Sequence, residues 1–459
     1  MSVGIMVAGL LGGVAIWLVL ASYLTRRAAQ TSVGALSAPQ VRGRPSAWLG
    51  RLSDVDAFVI PVGLFLVSAL GYTLINRGRQ AGLDYFVPLA NAFLHGHAGL
   101  PSPGNAHFGF LTEILPGKHG QYYVAYPPAP AVVLMPVVAV FGIAFNQAWM
   151  TIFLGALNVA LISIAIENLG VTRRLRIILS LVFAFGTVVW FSAQIGTAWH
   201  MSHVTAMTFM LLAIVACQRD RSMFLIGVLF AGAIASRMAV LLALPFFLGY
   251  VADRVRRERA GEGRLDLRRY AELAVPMLAG LALIACLLFA YDYDRFGSIL
   301  ETGYGKWDFW ETNPAYRFGM FSVHYFPKDF TALFLSRPHH LGHFPWLSPG
   351  LYGGPSILLT SPIFLWALNA RRLDWFNVGA WASVGLILAT QLLYADTGGN
   401  QFGSETAQDV YPFLMLLTVR GLNGRISRLA WAAIAVGLAV NLWGMGFALS
   451  DWWHFGRGA

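Results

Sequence analysis

From Val55 onward the chain reads as apolar runs of helical length separated by two kinds of interruption. Some are short and rich in arginine; others are long and rich in aromatic, acidic and histidine residues. A helix needs about 20 mostly apolar residues to cross a bilayer core, and runs such as Val55 to Ile75 and Ala148 to Asn168 meet that length. Arginine in short loops marks the cytoplasmic side. Arg173 to Arg176, Arg219 and Arg221, Arg254 to Arg269, Arg371 and Arg372, and Arg420 to Arg428 keep one rhythm, which puts the long polar interruptions on the outer face. The pattern predicts an all-α polytopic membrane protein with about 12 spans and both termini outside.

Two stretches test that rhythm. Val3 to Leu24 has no basic residue ahead of it and has Arg26 and Arg27 after it. This is the reverse of a secretory signal, so it reads as an additional span followed by a basic cytoplasmic linker. Ala129 to Phe145 is short and contains Pro130 and Pro136. Were it to cross, Arg173 to Arg176 would fall outside, so it is expected to lie as an interfacial helix on the outer face.

Composition sharpens the class. With 57% hydrophobic and 12% charged residues and a mean hydropathy of +0.60, the chain has too little polar surface for a water-soluble globule. The net charge of +10 is accounted for by the loop arginines and does not call for nucleic acid. Cys217 and Cys286 lie in apolar runs without CxxC spacing, which implies neither a disulfide framework nor a zinc site.

Candidate chemistry sits in the outer segments. Asp84 stands in GLDYFVPLANAFLHGH, at the head of an amphipathic helix whose apolar face is Leu89, Ala90, Phe93 and Leu94 and whose end is set by Gly96. An aspartate there also serves as an ordinary helix cap. Arg237 lies between the apolar runs FLIGVLFAGAIA and MAVLLALPFFL, where an ionisable side chain is costly enough to suggest function, although an arginine at a helix end can also snorkel to the interface. His200 and His203 are spaced i, i+3, so one helix face can present both to a polar site. Neither that pair nor His339, His340 and His343 carries the third ligand of a metal signature, so a divalent metal is not supported. No Walker or Rossmann glycine motif is present.

The order of these motifs carries a resemblance. An Asp at the start of the first outer loop is followed by GQYYVAYPPAPAVVLMP, the pair Ser236 and Arg237, YDYDRFGSILETGYG, GLYGGPSILLTSP, and GGNQFGS with DVYPF. Together they resemble the multi-spanning GT-C glycosyltransferases, in the bacterial branch of protein O-mannosyltransferase-like enzymes, the lipid A aminoarabinose transferase and the rhizobial lipopolysaccharide sugar transferases. The resemblance covers roughly Val55 to Leu417.

It implies an inverting, GT-C-like helical bundle that moves a hexose or pentose from a polyprenyl-phosphate donor to a glycan, lipid or protein acceptor at the outer face of the plasma membrane. No cofactor is expected. Asp84 is then the candidate base, because a sugar hydroxyl must lose its proton as it attacks. Arg237, Lys306 and Tyr126 are candidates for the donor phosphate. His203, His200, Glu113, Tyr304 and Glu405 are candidates for the sugar or acceptor, with Trp307 and Trp310 able to stack on a sugar or simply to anchor the bilayer interface.

The chain also departs from the family. His203 stands at a position that resembles an acidic one in the aminoarabinose transferase, Tyr126 stands at one that resembles a lysine position of that enzyme, and the arginine often found after GGxxxG is absent.

The expected organisation is residues 1–54 as the additional span and linker, 55–448 as the catalytic transmembrane domain with outer loops at about 77–147, 292–354 and 395–408, and 449–459 as an outer tail. A transporter or flippase for a lipid-linked saccharide is the competing class. It would call for inverted repeats and polar residues at mid-membrane, which the sequence does not show clearly.

Overall fold

The computed structural model describes residues 47–80, 82–102, 107–108, 111–258, 265–306, 314–342, 346–349, 354–398 and 401–449. The expected first span, Trp307, Trp310, His343 and the C-terminal tail lie outside the described residues.

The chain is a helical polytopic membrane protein. Helix α1 (Ala47–Asn76) starts two turns earlier than the expected span. No proline separates Pro45 from Pro61, so nothing in that stretch breaks the helix. The short α2 (Phe86–Leu94) and α3 (Ala129–Phe141) follow, separated by a small hairpin in which Ile114–Pro116 pairs antiparallel with Tyr122–Val124. Next come α4 (Gln147–Glu167), α5 (Arg173–Phe185), α6 (Ala198–Gln218) and α7 (Met223–Ile234).

Arg237 interrupts the helical path in extended conformation, and a 3-10 segment, Met238–Ala243, leads into α8 (Leu244–Glu258). The bundle closes with α9 (Leu267–Phe296), α10 (Trp375–Gln391), α11 (Tyr411–Gly421) and α12 (Arg428–Leu449).

Among the described residues six helices are long and apolar enough to cross a membrane: Asp56–Asn76, Gln147–Glu167, Ala198–Gln218, Met238–Glu258, Leu267–Phe296 and Arg428–Phe447. The other apolar stretches form shorter helices. The Ala129 to Phe145 stretch is one of them, closed by Gly142 at φ +68°.

Burial ranks the long helices. In α6, 89% of the most apolar window is buried, against 22% in α9, so α6 is the centre of the bundle and α9 shows most of its surface to lipid. The main core gathers around α6, with Phe183, Phe230, Phe247 and Phe413 buried and the rings of Phe230 and Phe247 4.4 Å apart.

The arginine clusters meet at one end of this bundle. Arg173 pairs with Asp56 at 3.2 Å, Arg176 with Glu167 at 2.6 Å, Arg257 with Asp220 at 3.1 Å, Arg269 with Glu258 at 2.8 Å and Arg420 with Asp374 at 2.7 Å. Asn168 donates to Gln218 at 3.0 Å, and Arg256 lies over the Trp375 ring. Capping follows the same end, with Thr172, Asp266 and Asp374 each accepting backbone N–H groups of the helix they start. The polar segments gather at the opposite end.

There the second segment begins later than the expected residue 292. Helix α9 continues through Asp292 and Arg295 to Phe296 and is closed by Gly297 in the left-handed region at φ +80°. The pair is not loop chemistry: Arg295 is buried, binds Asp292 one turn back and donates to the Val124 carbonyl at 2.8 Å, which clasps the hairpin onto the helix.

Candidate active site

At the polar end, three connecting segments and the adjoining helix ends enclose a cavity of about 520 Å³. The hairpin supplies Glu113 and Tyr126, the break between α7 and α8 supplies Arg237, and the segment after α9 supplies Tyr304. The segment before α11 supplies Asp396 and Glu405. Arg237 is the one arginine or lysine among the described residues lining it, and its side chain is 18% exposed. A second, apolar cavity of about 200 Å³ adjoins the first, with Pro127, Met238, Leu241 and Thr302 lining both.

The hairpin positions its two groups directly. The Tyr126 hydroxyl donates to Glu113 Oε1 at 2.6 Å, and the Tyr304 ring meets Tyr126 edge-on at 6.2 Å. Burial pushes the Glu113 carboxyl up to about 7, against the Tyr126 and Tyr85 hydroxyls that favour its charged form. The same carboxyl keeps the Tyr126 phenol well above its ordinary range, after burial itself. Glu405 is pushed by burial to about 8, although Arg237 works in the opposite direction. Both acids are therefore poised to hold or release a proton near neutrality.

Behind this wall stands a second layer. His200 and His203, one turn apart on α6, face Glu405, the N-cap residue at the start of the 3-10 turn Thr406–Val410, and Asp409 within it. His203 Nδ1 lies 2.8 Å from Asp409 Oδ1, so that nitrogen carries the proton that the carboxylate accepts. His200 Nδ1 lies 2.6 Å from Thr197 Oγ1, and its Nε2 is 3.3 Å from Glu405 Oε2. Asp409 Oδ2 in turn stands 3.6 Å from Arg237 Nη2. Burial opposes the Asp409 charge, but His203 and Arg237 together outweigh it and hold the carboxyl below its ordinary value.

No protein-family model matches the chain, and no curated protein matches it. Over 83% of its length it is similar to the crystal structure of ArnT from Cupriavidus metallidurans bound to undecaprenyl phosphate, with 16% identity and a TM-score of 0.47. The chain spans 63% of the length of that protein.

The structure thus brings five sequence candidates into one cavity wall: Glu113, Tyr126, Arg237, Tyr304 and Glu405. It sets four others apart. Asp84 does not begin a helix: α2 starts at Phe86, and the half-exposed carboxylate accepts instead from Gln80 Nε2 at 2.8 Å. Its neighbours Gly82 and Leu83 line the cavity, which leaves Asp84 at the rim. The buried face of α2 is Phe86, Val87, Leu89, Ala90 and Ala92; Leu94 is exposed.

Lys306 is exposed and directed over the Phe296 ring, 5.5 Å from its centroid, outside the cavity lining. His200 and His203 are fully buried behind the wall and outside the cavity lining, with their Nδ1 atoms bonded to Thr197 and Asp409 and their Nε2 atoms making no hydrogen bond among the described residues.

Sequence reasoning missed Asp329 and Asp396, which also line the cavity. Asp396 follows directly on the start of the third polar segment, a position that could have drawn attention. Asp329 carried no such signal. Among the described residues no group of three or more His, Cys, Asp or Glu side chains is arranged to hold a metal ion.

Proposed function

We propose that the protein is an inverting glycosyltransferase of GT-C type that takes a sugar from a polyprenyl-phosphate donor at the extracytoplasmic face of the membrane. One observation carries this reading: Arg237, the one arginine or lysine among the described residues lining the cavity that holds Glu113 and Glu405, is followed by Met238, which lines both that cavity and the apolar one beside it. A ligand with a phosphate at the head of a hydrocarbon chain fits that junction, the phosphate on Arg237 and the first lipid units in the apolar chamber. The motif order read from the sequence agrees, and so does the gathering of arginines at the other end, which the positive-inside rule assigns to the cytoplasm.

The chemistry needs little more. The leaving phosphate is stabilised by the guanidinium, and by the Tyr126 hydroxyl once it turns its single proton from Glu113 to the phosphate, and needs no protonation. The acceptor hydroxyl enters from the rim, where Asp84 takes its proton as oxygen attacks the anomeric carbon and the carbon–phosphate-oxygen bond breaks on the opposite face. Glu113, Glu405 and Tyr304 hold hydroxyls of the sugar or acceptor.

The test is mass spectrometry of envelope glycans from a strain lacking the protein, complemented with variants. Deletion should truncate one glycan, wild type should restore it, and Asp84→Asn should lower transfer by about two to four orders of magnitude at unchanged protein level. Full restoration by Asp84→Asn with none by Glu113→Gln would move the base to Glu113. An unaltered glycan profile in the deletion strain would remove the transferase reading.

A further inference from the structure

Arg237 has no helix to fix it. It sits in extended conformation, φ −148° and ψ 112°, at the break between α7 and the 3-10 segment. Its Nε makes no hydrogen bond among the described residues. A long side chain in that position has many rotamers, and a ligand that needed one of them would have to select it.

The charged group facing it is Asp409, which stands outside the cavity lining, is 5% exposed, and has Oδ1 bonded to His203 and Oδ2 in a 3.6 Å ion pair with Arg237 Nη2. His203 is fixed in its turn by the buried central helix, where its side chain shows no exposure. The three groups come from α6, the α7–α8 break and the turn before α11, and no pair of them is closer than 34 residues in sequence.

We propose that Asp409, anchored by His203, is a positioning residue that presents the Arg237 guanidinium to the anionic head of the ligand. This rests on the reading of Arg237 as the donor-phosphate ligand. Two expectations separate positioning from mere charge balance. If Asp409 only neutralised Arg237, removing its charge would strengthen the field on an anion and tighten binding. If it orients the fork, removal loosens the guanidinium and weakens binding although the site becomes more positive.

The experiment titrates the purified full chain with undecaprenyl phosphate and follows binding by native mass spectrometry, with thermal unfolding as the fold check. Arg237→Ala and Asp409→Asn should each weaken binding by roughly tenfold or more, and Asp409→Glu should restore part of it. The double variant Arg237→Ala, Asp409→Asn should bind no worse than Arg237→Ala alone, because the two residues act as one unit. If Asp409→Asn does not fold, His203→Phe, which keeps the ring volume and removes the anchor, should show the same weakening.

Unchanged or tighter binding by a folded Asp409→Asn, or a double variant whose losses add, would overturn the positioning role while leaving Arg237 as a ligand. Equal binding by wild type and Arg237→Ala would remove the phosphate reading itself, and the proposal with it.

Discussion

At the residue scale the site is governed by how much burial each acid suffers and what compensates it. Asp409 has a histidine and an arginine and stays below its ordinary value. Glu113 has two phenols and rises from 4.5 to about 7, and Glu405 rises from 4.5 to about 8. In both, the native state holds a proton that the unfolded chain has already released, so the unfolded chain binds fewer protons and stability falls as pH rises through this window.

Thermal unfolding in detergent should therefore show a lower midpoint at pH 8 than at pH 5. For Glu113 alone the shift corresponds to on the order of 3 kcal/mol. Glu113→Gln, which cannot ionise, should flatten part of that slope and leave the part due to Glu405. A Glu113→Gln profile parallel to wild type across pH 5 to 8 would show that the Glu113 carboxyl does not titrate there.

At the scale of elements, close helix contact through glycine holds the site's framework. A methyl group on Gly227 of α7 would collide with the Met277 carbonyl of α9, and one on Gly280 of α9 would collide with the Phe224 carbonyl of α7. The two backbones touch at these small residues, the way helices associate where no hydrophobic force separates side chain from lipid. This crossing matters to the site because α7 leads into Arg237 and α9 carries the Arg295 clasp on the hairpin.

Gly280→Ala should lower stability by about 1–3 kcal/mol through overpacking, read as a drop in the unfolding midpoint. Gly63→Ala in α1, which meets nothing within 4 Å, should not lower the midpoint and should raise stability by up to about 1 kcal/mol. Equal midpoints for the two variants would mean that the α7–α9 crossing has room to give.

At the scale of the whole molecule, the arginine network and the cavity occupy opposite ends of the bundle, and the positive-inside rule predicts opposite compartments for them. In a Cys217→Ser, Cys286→Ser background, His97→Cys should react with a membrane-impermeant maleimide added to intact cells, and Gly424→Cys should react only after lysis. His97 lies in the segment after α2 on the cavity side, and Gly424 follows α11 on the arginine side; both are exposed. Labelling of Gly424→Cys alone in intact cells would turn the protein over and place its cavity in the cytoplasm.

The sequence by itself determined the helical class, the segments that reach the polar end, and five residues of the cavity wall. It could do so because span length, loop arginine and the cost of a charge such as Arg237 among apolar neighbours are one-dimensional quantities. Only the tertiary structure decided which side chains face one another. His200 and His203 share a helix face in the sequence, yet that face turns away from the cavity toward Glu405 and Asp409, more than two hundred residues later. Asp84 carries the cap-like signature of a helix start, yet Gln80 draws it to the rim. Asp292 and Arg295 read as loop polarity until the buried Val124 carbonyl showed what they hold. For the histidines and for Arg295 the deciding partner is distant along the chain, and a buried polar group is directed by whichever distant partner satisfies it, which no local pattern records.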